Sequence, residues 1–194
     1  MQQGPEVALA LVTLTGGPSV VDPGQKQQVT LDLRAGNYVL LCFVADDEDG
    51  LPHLAKGMIK PIEVVARATK ARFQEPQANL TISLHDFSFT MPKEVKAGQQ
   101  VWKVINEGPQ PHEMVLIKLA DGKTLQDVEA FLRQPVGPPP FTDAGGMQGL
   151  AQDTSGWLWL DLQPGEYVAL CHIPDPASGL AHTELGMVQS FVVK

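Results

Sequence analysis

The chain has 194 residues, 43% of them hydrophobic and 19% charged, a balance typical of globular rather than disordered proteins. Its formal net charge of −8 argues against a nucleic-acid binder, because no basic stripe is available to neutralise phosphates. The longest apolar run, residues 7–14, is less than half a transmembrane span and has neither the basic flank nor the cleavage site of a signal peptide.

Sixteen prolines and eighteen glycines separate many short apolar runs, which predicts an all-β protein rich in turns. Three strands are expected in the first third of the chain, at residues 29–33, 37–44 and 57–65. The polar residues 67–77 form a predicted linker between residues 1–66 and 78–194. The remaining expected strands cover residues 80–84, 87–89, 100–105, 112–119, 157–160, 166–171 and 186–193. The one clear helix runs from Thr124, an N-cap residue type, to Arg133.

One spacing of cysteine, histidine and methionine occurs twice. It is present at Cys42, His53 and Met58, and again at Cys171, His182 and Met187. The chain has no other cysteines. Residues 16–65 align with residues 145–194 without a gap and match at 17 of 50 positions. The sequence therefore indicates an internal repeat that preserves this spacing.

A thiolate, an imidazole and a thioether brought together suit a soft or borderline metal ion, copper above all. The alternative is that both cysteines are buried structural thiols without a metal. A disulfide between them is not expected, because repeat-equivalent residues face equivalent, separate surroundings.

The second copy has a candidate fourth ligand in His112. This histidine follows the turn at residues 106–111, which is expected to place it at the same pole of a sandwich as Cys171. Two imidazoles, one thiolate and one weak axial thioether define a trigonal copper site for electron transfer. The predicted metal ligands are therefore His112, Cys171, His182 and Met187.

Two segments resemble the cupredoxins, the plastocyanin- and azurin-like blue copper proteins. They are Gly98…Val104-Ile105-Asn106-Glu107-Gly108…His112-Glu113 and Cys171…His182…Gly186-Met187. In the plastocyanin-like members an Asn-x-Gly turn precedes the first histidine, and a Cys…His…Met loop closes the site. The resemblance covers residues 78–194 as a complete domain and residues 8–66 as a C-terminal half-domain. It implies a Greek-key β-sandwich with one short helix, preceded by a partial second cupredoxin-like sandwich. It also implies one type 1 copper ion, with His112, Cys171 and His182 as equatorial ligands and Met187 as the axial ligand.

The loop between Cys171 and His182 is longer than in small cupredoxins, although copper nitrite reductases also lengthen it. Extending such a loop from four to ten residues costs about 0.8 kcal/mol of closure entropy. Metal binding in a structured site contributes on the order of 10 kcal/mol, so the length does not exclude copper.

Residues 1–66 match only the second half of the sandwich plan and contain no counterpart of His112. Cys42, His53 and Met58 are therefore expected to form either a second metal site or a vestigial one. Half a sandwich would expose an apolar face and open strand edges. Either extension of the sheets of residues 72–194 or pairing with the same half of a second subunit would cover it, and the homodimer is the favoured expectation.

Three functions fit these features. The first is one-electron transfer with a redox protein partner, the second is storage or delivery of Cu(I) between a donor and an acceptor, and the third is a metal-free interaction module. An enzyme is not expected, because hydrolase motifs and the His-x-His series of multicopper oxidases are absent from the sequence. The acidic surface suits basic protein partners. The resemblance implies a periplasmic or secreted location, and the chain is expected to carry no signal peptide.

Overall fold

A computed structural model describes residues 12–46, 48–66 and 73–194. The chain divides into two compact units, one formed by the residues up to Leu31 together with Pro76–Lys194, and the other by Asp32–Glu75. The strands are β1 (Gln28–Leu31), β2 (Gly36–Leu41), β3 (Ile59–Val64), β4 (Leu80–His85), β5 (Ser88–Thr90), β6 (Glu94–Val95), β7 (Gly98–Asn106), β8 (His112–Leu119), β9 (Phe141–Leu150), β10 (Ser155–Leu162), β11 (Gly165–Leu170) and β12 (Val188–Val193). An α-helix, α1, covers Leu125–Arg133. Within the described ranges, no helix is long and apolar enough to cross a membrane.

The larger unit is a sandwich of two five-stranded sheets. Their strand orders are β1-β10-β7-β4-β5 and β6-β12-β11-β8-β9. Alternating apolar residues on the strands meet between the sheets. There the ring centroids of Trp102 of β7 and Phe191 of β12 lie 5.9 Å apart. The predicted fold class, an all-β sandwich with one short helix, is confirmed.

Strand β8 is buried on both faces, which explains its almost continuous apolar sequence. Leu116 points into the core between the sheets, whereas Val115 and Ile117 belong to a second cluster that contains Val128 of α1. The helix therefore covers the outer side of this sheet. It begins with the capping box that its sequence predicts, in which the amide of Asp127 donates to the Thr124 hydroxyl.

Strand β9 was not expected from the sequence, because Gly145 and Gly146 suggest a connecting loop. The strand pairs with β8 through irregular register, and Gly146 has φ 133. A Cβ atom at Gly146 would lie 2.0 Å from the carbonyl oxygen of Met114. Glycine is thus required here by close approach of two strands rather than by a turn.

The segment before β2 extends both sheets of this sandwich. Strand β1 pairs antiparallel with β10 in a register that places Val29 opposite Leu158. Isolated bridges join Thr15 to Leu150 and Pro18 to Met147 of β9. Sheet extension, one of the two expected ways of covering the N-terminal half, therefore occurs for the stretch up to β1. The predicted homodimer and the domain boundaries at residues 66 and 78 stay predictions.

The smaller unit is an antiparallel pair, β2 and β3, with Tyr38 opposite Ile62. A loop with a 3₁₀ turn, His53–Lys56, joins the two strands, and Gly57 ends that turn with φ 99. Large apolar side chains on this unit are exposed, at Val39, Leu40, Leu41, Phe43, Val44, Leu51, Met58, Ile59, Ile62 and Val65.

Candidate metal centre

The sandwich brings three of the predicted ligands to one end. His112 begins β8, and Cys171 directly follows β11, the strand that pairs with β8 through Val115 and Leu170. His182 lies in the loop after Cys171. Donor atoms of His112, Cys171 and His182 all lie within 4.8 Å of one another, and all three residues are buried. Met187, directly before β12, is also buried and lies near His112.

Backbone hydrogen bonds fix the long loop between the cysteine and the histidine. The amide of His182 donates to Ile173 O at 2.9 Å, and the amide of Met187 donates to His182 O at 2.8 Å. Thr183 donates to Cys171 O from its amide at 2.8 Å and from its hydroxyl at 2.6 Å. The loop thus folds back on the cysteine, so its length does not prevent the ligands from meeting.

The turn before His112 depends on Asn106 and Gly108, the two residues that carry the family resemblance there. The buried Asn106 side chain donates to Gln110 O at 2.7 Å and to Leu150 O at 2.9 Å, and it accepts from the Gly108 amide at 3.0 Å. A Cβ atom on Gly108 would lie 2.7 Å from His112 Nε2. These two residues therefore fix the turn and leave space for the imidazole.

Outer hydrogen bonds determine which nitrogen of each imidazole carries hydrogen. His112 Nε2 lies 2.8 Å from Asp86 Oδ1, and His182 Nε2 lies 3.0 Å from Gln110 Oε1. The Gln110 amide is oriented by its NH₂ group, which donates to Asp175 Oδ1 at 3.0 Å. Both Nε2 atoms thus face acceptors and carry the hydrogens, so both Nδ1 atoms present lone pairs.

These lone pairs converge on one point. The two Nδ1 atoms of His112 and His182 lie 3.0 Å apart, and Cys171 Sγ lies 3.4 Å from the Nδ1 of His182. The thiol proton can serve only one of the two nitrogens, so at least one of these facing acceptors remains without a donor. Two nitrogens that are each about 2.0 Å from one ion can lie up to about 4 Å apart, so this spacing fits a shared metal ion.

Burial controls the charge of these groups. It lowers the pKa of His112, against the opposing effect of Asp86, and it lowers the pKa of His182, with a further lowering by the His112 charge. Burial raises the pKa of the Cys171 thiol to about 12, and the pKa of the adjacent Glu113 to about 7. At neutral pH the imidazoles are neutral and the thiol is protonated, so a metal ion must displace the thiol proton.

The surroundings of the thiol complete the centre. The Glu113 amide points at Cys171 Sγ at 3.4 Å, and Phe87 packs edge-on against the His182 ring at 5.3 Å. Two imidazoles, one thiol and a buried thioether are the donor types found in trigonal copper centres. The protein therefore contains one His₂CysMet donor set of the type 1 copper kind.

The first copy of the spacing gives a smaller and more open cluster. Cys42 Sγ lies 3.6 Å from His53 Nδ1. Met58 is 59% exposed, and Cys42 is only partly buried. Across the described part of the chain, the three-donor grouping of histidine, cysteine and carboxylate side chains occurs only at the buried centre.

Three residues of the centre were not found by sequence reasoning. Asp86 lies on the turn between β4 and β5, far from either motif in sequence, and no spacing pattern indicates it. Gln110 lies in the turn before His112, so its proximity could have been inferred, but glutamine carries no metal-ligand signal. Glu113 acts at the thiol through its backbone amide, which any residue type supplies.

No protein-family model and no curated protein sequence matches the chain. Among solved structures, it is similar to a reduced auracyanin of Roseiflexus castenholzii, with 23% identity and a TM-score of 0.39 over 59% of this chain and 95% of that one. It is similar to auracyanin A, a "blue" copper protein of Chloroflexus aurantiacus, with 15% identity and a TM-score of 0.38 over 59% and 99%. A multicopper oxidase of Campylobacter jejuni matches with 14% identity and a TM-score of 0.36 over 84% and 41%. At these identities and TM-scores the matches assign neither a family nor a function.

Proposed function

We propose that this protein is a cupredoxin-type copper protein that transfers single electrons through the buried centre. The observation that carries the proposal is the convergence of two imidazole lone pairs and one thiol, with a separate hydrogen-bond partner behind each imidazole. In this assignment His112, Cys171 and His182 are the equatorial ligands and Met187 is the weak axial ligand.

Copper bound there would supply the exchange between Cu(I) and Cu(II), and the protein side chains would hold its surroundings constant. Asp86 and Gln110 fix both rings, and the Glu113 amide supports the sulfur with a weak hydrogen bond. Because these contacts hold both rings and the sulfur, a change of oxidation state would require little rearrangement of the protein. That rigidity favours electron transfer.

Burial of the centre favours electron transfer over catalysis. Each of the four donor residues is 0% exposed, so the side chains enclose the position where an ion would bind. A catalytic metal keeps a position open for water or substrate. We therefore propose that the protein is not an enzyme and that its partner approaches the surface rather than the metal.

The proposed partner is a basic redox protein, because the formal charge of −8 would steer such a protein toward the chain at low salt. A periplasmic or secreted location and a homodimer that covers the exposed β2–β3 surface complete the proposal. The proposed organisation is a partial repeat in residues 1–66, a linker at 67–77 and a complete domain at 78–194. One matching detail supports the repeat: Tyr38 donates to Arg34 O at 2.8 Å and Tyr167 donates to Gln163 O at 2.9 Å.

Addition of Cu(II) to the reduced protein tests the function. We expect an intense visible thiolate-to-copper band that is lost in Cys171→Ser and retained in Cys42→Ser, the matched control for loss of a thiol. Tight Cu(I) binding without the band would favour copper storage or delivery instead. Binding of neither ion by a correctly folded protein would leave a metal-free interaction module.

A further inference from the structure

We propose that Cys42, His53 and Met58 form a second, solvent-accessible copper site that is selective for Cu(I). This site belongs to the smaller unit and does not depend on the function proposed for the buried centre. It is argued from the thiol–imidazole pair, with Cys42 Sγ 3.6 Å from His53 Nδ1, and from the backbone that holds this pair.

The backbone of this loop repeats the loop of the buried centre bond for bond. The cysteine amide donates to the methionine carbonyl at 3.2 Å in the first loop and at 3.3 Å in the second. The methionine amide donates to the histidine carbonyl at 2.9 Å in the first loop and at 2.8 Å in the second. The residue after each histidine donates to the cysteine carbonyl at 2.9 and 2.8 Å. The thiol–imidazole distances are 3.6 and 3.4 Å. The backbone of the first loop therefore holds Cys42, His53 and Met58 as the backbone of the second loop holds its own donor residues.

Ion pairs of its own hold the first loop in this form. Lys56, which follows His53, pairs with two carboxylates that precede it: its Nζ lies 2.7 Å from Asp46 Oδ2 and 3.0 Å from Asp49 Oδ2. The hydrogen bond from Lys56 lowers the pKa of Asp46, so the carboxylate remains ionised at neutral pH. In the second loop the equivalent position is Leu185. The first loop thus uses surface charges where the second has an apolar side chain, and these ion pairs help to fix the backbone that carries its donors.

The donor set selects the oxidation state. One thiolate, one imidazole and one thioether are soft or borderline donors, which favour Cu(I), whereas zinc takes four ligands and rarely uses a thioether. The loop has no equivalent of His112, the second imidazole that would complete a type 1 centre. The partial exposure of Cys42 and the 59% exposure of Met58 leave the ion open to exchange with a chelator or a donor protein. The expected ligand is therefore Cu(I) in exchange with its surroundings.

Protection of Cys42 from alkylation tests this site directly. The intact protein is treated with iodoacetamide under anaerobic conditions at Cu(I) concentrations set by a competing chelator, and mass spectrometry measures modification of the Cys42 peptide. We expect saturating Cu(I) to slow alkylation of Cys42 at least tenfold. His53→Gln and Met58→Leu should each raise the free Cu(I) needed for half-protection at least tenfold, whereas His85→Gln, which changes an imidazole elsewhere, should not.

Two results would overturn the inference. Absence of protection at saturating Cu(I) would exclude a site, and equal protection in wild type, His53→Gln and Met58→Leu would show a lone thiol that binds copper adventitiously. Protection that persists in Cys171→Ser would support a site independent of the buried centre. The visible band of copper-loaded Cys42→Ser reports only on the buried centre, so failure of either proposal can be recognised separately.

Discussion

Asp86→Ala should weaken copper binding 10- to 100-fold, although Asp86 is not a predicted ligand. His112 is fully buried, and its Nε2–H donates to Asp86 Oδ1 at 2.8 Å. Loss of a hydrogen bond to a charged acceptor costs about 1.5–3 kcal/mol. Removal of the outer partner of a metal-ligating histidine lowers affinity by about 10- to 100-fold, which corresponds to about 1.4–2.7 kcal/mol. The two estimates agree. Because the Asp86 side chain is 30% exposed, water can partly replace it, and we expect the lower half of this range.

Competition with a chelator of known copper affinity measures this effect. Asp86→Asn should lie between wild type and Asp86→Ala, because its amide oxygen still accepts a hydrogen bond but has no charge. Asp161→Ala removes an exposed carboxylate from β10 and is the matched control for charge, with an affinity expected to stay within twofold of wild type. An affinity of Asp86→Ala equal to that of this control would refute the role of the outer hydrogen bond.

Three further predictions concern the turn, the core and the thiol. Gly108→Ala should lower copper affinity at least tenfold in the same competition assay, because its Cβ would lie 2.7 Å from His112 Nε2. Gly17→Ala is the control and should leave the affinity unchanged, because its Cβ would have no neighbouring atom closer than 3.9 Å. Leu158→Ala should lower the free energy of unfolding by about 2–5 kcal/mol in urea denaturation, because this core residue is 0% exposed, whereas the half-exposed Leu132→Ala should change it by less than about 1 kcal/mol. Copper binding at pH 8.5 should release about one proton, because a thiol with a pKa of about 12 must ionise while both imidazoles are already neutral. Calorimetry in two buffers of different ionisation enthalpy measures this number, and an equal release from Cys171→Ser would contradict its origin.

The sequence was sufficient to predict the sandwich and the meeting of its distant donors. Alternating apolar residues specify the strands, and a loop that returns to its own cysteine places Cys171 and His182 together whatever its length. The presence of Asp86 in the centre could not be predicted, because it depends on the pairing of β4 with β7. Strand β9 was not predicted because its glycines suggest a loop. Their actual role is to let two strands approach closely, which depends on tertiary structure. The location of β1 at the edge of the larger sandwich likewise depends on a pairing that local patterns do not encode.

The pairing of β1 with β10 joins two segments that align with each other in the gapless sequence comparison. Val29 lies opposite Leu158, and Pro18 is bridged to Met147, and in the gapless alignment of the repeat each of these residues is opposite its own counterpart. An antiparallel contact of a strand with its own copy is the arrangement of a two-fold interface between identical subunits. Here one polypeptide supplies both sides, so dilution cannot separate them and their association does not vary with protein concentration. The two sides can also mutate one at a time, whereas in a dimer of identical subunits every substitution changes both sides at once.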